Sequence, residues 1–196
     1  MKKRGGERAV DVLVGAGWAL YAGVFLARVA GGGGLIDLGL LLFFTLLAGL
    51  FLIRHPARSS GARWETTLAV VGTFLPVVAL RPASGGLGGL GHGIQVVSLA
   101  GTLIALICLG RSFGIAPADR GLRTTGIYGW VRHPLYATEL AFYIGYLVAN
   151  PSWRNFLGLI ASTGIQICRL LREERILAGY ASYAAQVRWR LLPYVW

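Results

Sequence analysis

The sequence predicts an all-α, polytopic membrane protein, and three observations carry that prediction. Of its 196 residues, 55% are hydrophobic and only 14% are charged, against roughly a quarter charged in soluble domains. Several apolar runs approach or reach the roughly 20 residues a helix needs to cross a bilayer. The basic residues sit mostly in alternate connections between those runs, as the bias of Lys and Arg toward the cytoplasmic side requires.

The first span runs from about Val10 to Ala30. It follows MKKRGGER, a start like that of a signal peptide, but the apolar run is too long for a cleaved leader and reads as a retained span. Gly31 to Gly34 form a turn, because consecutive glycines cost too much entropy to hold helical. The second span covers Leu35 to Ile53, and Arg54 to Arg63 make a polar connection. The third span covers about Trp64 to Leu80, with a kink expected at Pro76. Arg81 to Gly93 read as a flexible glycine-rich loop, followed by the fourth span from about Ile94 to Gly110. The stretch from Arg111 to His133 is long enough to be functional in its own right. Pro134 is a good first-turn residue and opens the fifth span, which ends near Ala149. Asn150, Pro151 and Ser152 turn the chain. The sixth helix, Trp153 to about Leu177, outlasts the membrane and projects its last two turns into the cytosol. A short amphipathic tail, Tyr180 to Trp196, closes the chain. Residues 1–110 thus form a four-span bundle, and residues 111–196 a loop, a helical hairpin and a cytosolic tail.

With both termini inside, only Arg28, Arg81 and Arg154 of the 19 Lys and Arg fall outside. That asymmetry places the termini and the Arg111–His133 loop in the cytoplasm. It also accounts for the net charge of +11 without invoking nucleic acid. Cys108 and Cys168 lie in apolar helices with no C-x-x-C spacing and read as buried thiols. His55, His92 and His133 are too scattered for a metal site. Gly85 to Gly93 follow no strand and open no βα unit, so they are not a phosphate cradle. No nucleophile-elbow motif supports Ser-His-Asp chemistry.

The chemistry concentrates in two places. GIYGWVRHPLY, Gly126 to Tyr136, gathers Tyr128, Trp130, Arg132, His133 and Tyr136 in a loop that ends at Pro134. Arg169 and Glu173 stand four apart, so they share a helix face, where ionisable residues are costly and either paired or functional. A structural salt bridge between them is the plain alternative. Glu139, inside the fifth span, either pairs with an arginine or lines a polar pocket. The triplet Arg-His-Pro occurs twice: Arg54-His55-Pro56 looks like a charged span terminus, while Arg132-His133-Pro134 is set among aromatics. Those aromatics suit either an interfacial belt or a flat adenine-bearing ligand.

The set GIYGWVRHPLY, Ala149-Asn150-Pro151, Arg169 with Glu173-Glu174, Tyr180 with Tyr183, and the closing RLLPYVW resembles the isoprenylcysteine carboxyl methyltransferase family. That family belongs with the bacterial membrane methyltransferases and the phospholipid methyltransferases. The likeness covers about Leu109 to Trp196. It implies an integral protein of the bacterial inner membrane that binds S-adenosyl-L-methionine at the cytoplasmic face. His133, Pro134, Leu135 and Tyr136 match the family's cofactor-binding turn, and Tyr128 the tyrosine before it. Gly121, Leu122, Arg123 and Thr124 match the segment upstream, with Ile115 and Ala116 in the same pocket. Glu173 matches the acid that holds the cofactor's ammonium, and Arg169 the arginine near the methyl acceptor. The acceptor is expected to be a lipophilic or lipid-modified molecule entering from the bilayer. A carboxylate acceptor needs orientation by Arg169 and no base. An amine acceptor needs a base, for which Glu139 and His133 are candidates. A phospholipid amine or thiol substrate, a non-enzymatic cofactor-binding protein and a small transporter are the alternatives.

Overall fold

The computed structural model describes residues 5–196; the expectations for Lys2, Lys3 and Arg4 lie outside the described residues. Seven helices follow one another: α1 (Gly5–Ala30), α2 (Leu35–Ile53), α3 (Arg63–Ala79), α4 (Gly88–Leu109), α5 (Pro134–Ala149), α6 (Trp153–Ile176) and α7 (Tyr180–Gln186). The all-α expectation holds apart from two dipeptide strands, β1 (Ser59–Ser60) and β2 (Ala118–Asp119). These pair antiparallel, Ser59 opposite Asp119, and tie the α2–α3 connection to the long loop.

Among the described residues three helices are long and apolar enough to cross a membrane: α1, α2, and α4 with its continuation to Ser112. The other long helices depart from that pattern for physical reasons. α3 has 17 residues and α5 has 16, a rise of about 24–26 Å at 1.5 Å per residue. α6 has 24 residues, but its buried face carries Asn155, Ser162, Gln166 and Arg169 at helical spacing. Most of its apolar side chains point outward, with Trp153, Phe156, Leu157 and Ile160 exposed, while Leu170 is fully buried. Polar residues turned inward and apolar residues turned outward suit a helix whose surroundings are hydrocarbon.

Side chains sort the connections to two ends. At one end the start of α1 meets the end of α2 through the Asp11–Arg54 ion pair. There Arg111 Nε donates to the Ile53 carbonyl at 2.9 Å, and the His55 amide donates to the Arg111 carbonyl at 2.8 Å. The C-terminal tail joins the same end, bridging Trp189 to Val131. At the other end Arg28 pairs with Asp37 at 3.0 Å. Asn155, fully buried, there receives the Arg81 amide and donates to the carbonyls of Arg81 and Asn150, at 2.9, 2.9 and 2.7 Å.

Two expectations need correction. The stretch Gly85 to Gly93 is no flexible loop: α4 begins at Gly88. A Cβ on Gly91 would stand 2.6 Å from the Gly145 carbonyl and from Ala149 Cβ, so the glycines let α4 and α5 pack backbone to backbone, as small residues do between membrane helices. Cys168 is exposed on α6, and only Cys108 is partly covered; Cys168 sits on the outward, apolar side that the polar stripe leaves. The apolar core gathers Trp18, Leu47, Leu50, Phe51, Leu106 and Phe113. Within it Trp18 stacks between Phe44 and Phe74, with ring centroids 5.6 and 6.0 Å away.

Candidate active site

A cavity of about 540 Å³ runs from the basic end into the aromatic core. Its size lies within the range of roughly 300–1,000 Å³ usual for small-molecule sites. Its character changes along its length. The inner part is bounded by Trp18, Phe44, Phe74 and Leu99, and the outer part by the polar residues of the long loop, α5, α6 and α7.

Pro134 starts α5 at its first turn and is fully buried. Proline restricts the residue before it to non-helical conformations, and His133 accordingly has φ −130° and ψ 59°. The imidazole is 5% exposed, with Nε2 at 3.2 Å from both Glu174 Oε1 and the Tyr180 hydroxyl. One helical turn into α5, the Tyr136 hydroxyl donates to Glu173 Oε1 at 2.5 Å. That leaves the second oxygen of Glu173 without a hydrogen-bond partner among the described residues. The two adjacent acids therefore divide the work: Glu173 faces the cavity and Glu174 anchors the tail.

Glu174 accepts from Tyr180 at 2.5 Å and from Arg190 at 3.0 and 3.1 Å. Burial pushes its carboxyl up, but the hydrogen bonds from His133, Arg190 and Tyr180 outweigh that and hold it at about 2. The tail is further fixed by backbone bonds from the Arg132 and His133 amides to the Trp189 and Arg190 carbonyls, both 2.8 Å. Gly179, at φ 77°, takes the left-handed turn that swings α7 back against the loop. Tyr183 then donates to the Tyr128 carbonyl at 2.6 Å. Burial raises the phenol of Tyr128 well above its ordinary value and that of Tyr183 to about 12, so both phenols stay neutral.

Deeper in, Arg169 is 9% exposed. One of its N–H groups reaches the Ile115 carbonyl at 2.8 Å, and its guanidinium lies over the Tyr136 ring at 5.3 Å. Its Nε is buried with no partner. The structural salt bridge between Arg169 and Glu173 is absent: each residue has taken a different partner. Glu139 lines the cavity and accepts from Gln166 Nε2 at 3.0 Å, so its hydrogen bond is to an amide and not to an arginine. The Gln166 side-chain oxygen is buried and unpaired.

Of the residues singled out by sequence, Ile115, Ala116, Gly121, Leu122, Arg123, Tyr128, His133, Leu135, Tyr136, Glu139, Arg169 and Glu173 all line this one cavity. Pro134 supports it from behind. Thr124 is exposed and lies off the wall. Sequence reasoning left out Gln166, and it quoted Arg132 and Glu174 within their motifs without giving either a role in the site. Gln166 was legible as part of the polar stripe of α6. The role of Glu174 depends on Arg190, which folds back from 16 residues further along the chain.

Among the described residues no group of three His, Cys, Asp or Glu side chains could hold a metal. The donor set suits an organic ligand that carries an ammonium and a flat ring. It offers a carboxylate oxygen for an ammonium, aromatic rings for a purine, and unpaired guanidinium nitrogens on Arg132 and Arg169. A family model described as phospholipid methyltransferase matches residues 83–182, from just before α4 into α7. No curated protein and no solved structure matches the chain significantly.

Proposed function

Since this chain belongs to the phospholipid methyltransferase family, we propose that it methylates a lipophilic carboxylate at the cytoplasmic face of the membrane, using S-adenosylmethionine. Membership makes it a membrane methyltransferase; the acceptor and the cofactor are our reading. S-adenosylmethionine, when bound, supplies an activated methyl group. Glu173 would take its ammonium on the free carboxylate oxygen. His133, Tyr128 and Leu135 would bound the rest of its site.

The observation that carries the carboxylate reading is Arg169. A buried guanidinium is normally paired, yet this one has no carboxylate partner and an orphaned Nε within the cavity wall. Its planar fork suits an incoming carboxylate, which needs no base before it is methylated. The Trp18–Phe44–Phe74 part of the cavity would hold the acceptor's apolar portion and exclude water, which favours a reaction in which opposite charges cancel. The bias of Lys and Arg toward the cytoplasmic side supports placing this basic end in the cytosol. The second reading, a phospholipid amine, is favoured by the family description. It would make Glu139 the proton acceptor.

The test is calorimetric titration of S-adenosylhomocysteine into the detergent-purified protein, beside Glu173→Gln and Arg169→Ala. Glu173→Gln should weaken binding by about tenfold or more, near 1.4 kcal/mol. Arg169→Ala should leave binding largely intact and abolish methyl transfer to lipophilic acids. Equal loss of binding and turnover in Arg169→Ala would sink the division of labour, and transfer to phospholipid amines alone would select the second reading.

A further inference from the structure

A second concavity, of about 360 Å³, lies beside the first at the same end of the bundle. His55, Pro56 and Arg58 of the α2–α3 connection form one side. Ser112, Arg120 and Arg123 of the long loop form the other. Ser112, Gly121, Leu122 and Arg123 line both cavities, so the two are separated by the thickness of that loop.

Three arginines and a histidine line this pocket, and among the described residues no Asp or Glu does. Asp119 is close in sequence but is 4% exposed and accepts the Gly121 amide at 2.9 Å; it is not on the wall. Apart from Arg169 in the larger cavity, this protein pairs its covered arginines with acids elsewhere: Arg54 with Asp11, Arg172 with Glu65, Arg190 with Glu174. Here it does not. Arg120 donates to the His55 carbonyl, and its Nε is buried without a partner. The Nε of Arg123 is likewise buried and unpaired. The side chains of Arg58 and Arg123 have no hydrogen bond or ion pair among the described residues. Burial, and then the nearby charge of Arg54, lower the pKa of Arg120 against the smaller opposing pull of Asp11 and Glu7, neither of which lines the pocket. Like charges held together at reduced solvation repel one another, and an anion relieves that repulsion.

We propose that this pocket binds a phosphate group, that of an anionic lipid headgroup or of a soluble phosphate ester. A tetrahedral anion with several acceptor oxygens can engage three forked donors at once, which one carboxylate cannot. The pocket lies at the level where helices end: α2 stops at Ile53, and Trp64, half exposed, opens α3. Aromatic side chains and lipid phosphates share that depth. The inference is independent of the methyl-transfer reading, because neither Arg58 nor Arg120 touches the larger site.

The experiment compares wild type with the Arg58→Gln/Arg120→Gln double variant. Native mass spectrometry follows lipid retained from mixed micelles of dioleoylphosphatidylglycerol and dioleoylphosphatidylcholine. Thermal melts with millimolar inorganic phosphate run alongside. Preferential retention of phosphatidylglycerol by wild type, reduced about tenfold in the variant, supports the pocket with a lipid as its source. A phosphate-induced rise in melting temperature that the variant lacks, without lipid preference, supports it with a soluble source. Far-ultraviolet circular dichroism and a monodisperse gel-filtration profile report that the variant is folded. Absence of both effects in wild type, or their persistence in a folded variant, overturns the proposal. If loss of the Arg120–His55 bond prevents folding, Arg58→Glu, whose native side chain makes no such bond, is read by the same criteria.

Discussion

The same three residues, Arg-His-Pro, occur at both sides of the basic end and do opposite things. In Arg54-His55-Pro56 the arginine closes α2 onto α1: it pairs with Asp11 and lies over the Phe51 ring at 4.3 Å. The histidine's backbone joins the long loop, its amide donating to the Arg111 carbonyl and its carbonyl accepting from Arg120. In Arg132-His133-Pro134 the arginine reaches the Arg188 carbonyl at 2.8 Å and the Tyr180 hydroxyl at 3.3 Å. The histidine side chain is buried between Glu174 and Tyr180. A tripeptide has no function by itself; what faces it decides. The first triplet faces the start of α1 and becomes a clasp. The second faces the acidic pair of α6 and becomes part of a binding wall.

On a free-energy scale the clasp should give the largest effect when broken. Asp11 and Arg54 side chains are 4% and 11% exposed. Asp11→Ala leaves a buried guanidinium uncompensated, which typically costs about 3–5 kcal/mol. The expected result is a large fall in melting temperature in detergent. A fall no larger than that of an exposed control would mean that Arg54 finds water or another acceptor at little cost.

Acid should break the second triplet's surroundings first. Glu174 has its carboxyl pKa depressed from 4.5 to about 2. A depressed carboxyl contributes stability that is complete above its ordinary pKa and is lost as pH falls toward the depressed one. The loss should therefore run from about pH 5 to pH 2 and amount to about 2–3 kcal/mol. Glu174→Gln should flatten that dependence in melts taken across the range. An unchanged profile would show that the tail is not held by this charge.

Histidine side chains should then separate the two triplets by ligand affinity. His133→Ala removes a wall of the cavity and should weaken S-adenosylhomocysteine binding by about tenfold, near 1.4 kcal/mol. His55→Ala leaves the backbone bonds in place and should change it by less than about twofold. Equal effects would dissolve the distinction.

Much of this was legible before any coordinates. The limits of α2 and α5 follow from Gly34, Arg54, Pro134 and Asn150, local signals that nothing in the tertiary structure overrides. Twelve of the proposed site residues share one cavity, because motif and polar stripe both report inward-facing chemistry. The start of α4 was not legible. Glycine content lowers helix propensity, and only the close approach of Gly91 to Gly145 explains why the helix forms anyway. The separate duties of Glu173 and Glu174 were equally hidden, since they depend on Tyr136 and Arg190 arriving from other parts of the chain.

The two prolines give the smallest and sharpest contrast. Both fix their own φ and bias the residue before them away from the helix, but they act at opposite helix ends. Pro56 follows α2, whose cap Arg54 has already left helical geometry at ψ 151°; the helix would stop without it. Pro134 begins α5, and its restriction keeps His133 out of the helix, so that the imidazole points at Glu174. Replacing a proline whose conformation is fixed costs about 0.4–1 kcal/mol through the unfolded chain alone. Pro134→Ala should reach the upper end of that range, because the ring is also fully buried. It should also lower S-adenosylhomocysteine affinity, since α5 can then extend backward by one residue and carry His133 with it. Pro56→Ala should shift the melt by less and leave affinity unchanged. If Pro134→Ala loses stability yet keeps full affinity, then the tail bonds from Trp189 and Arg190 hold His133 in place on their own, and the proline serves only the helix.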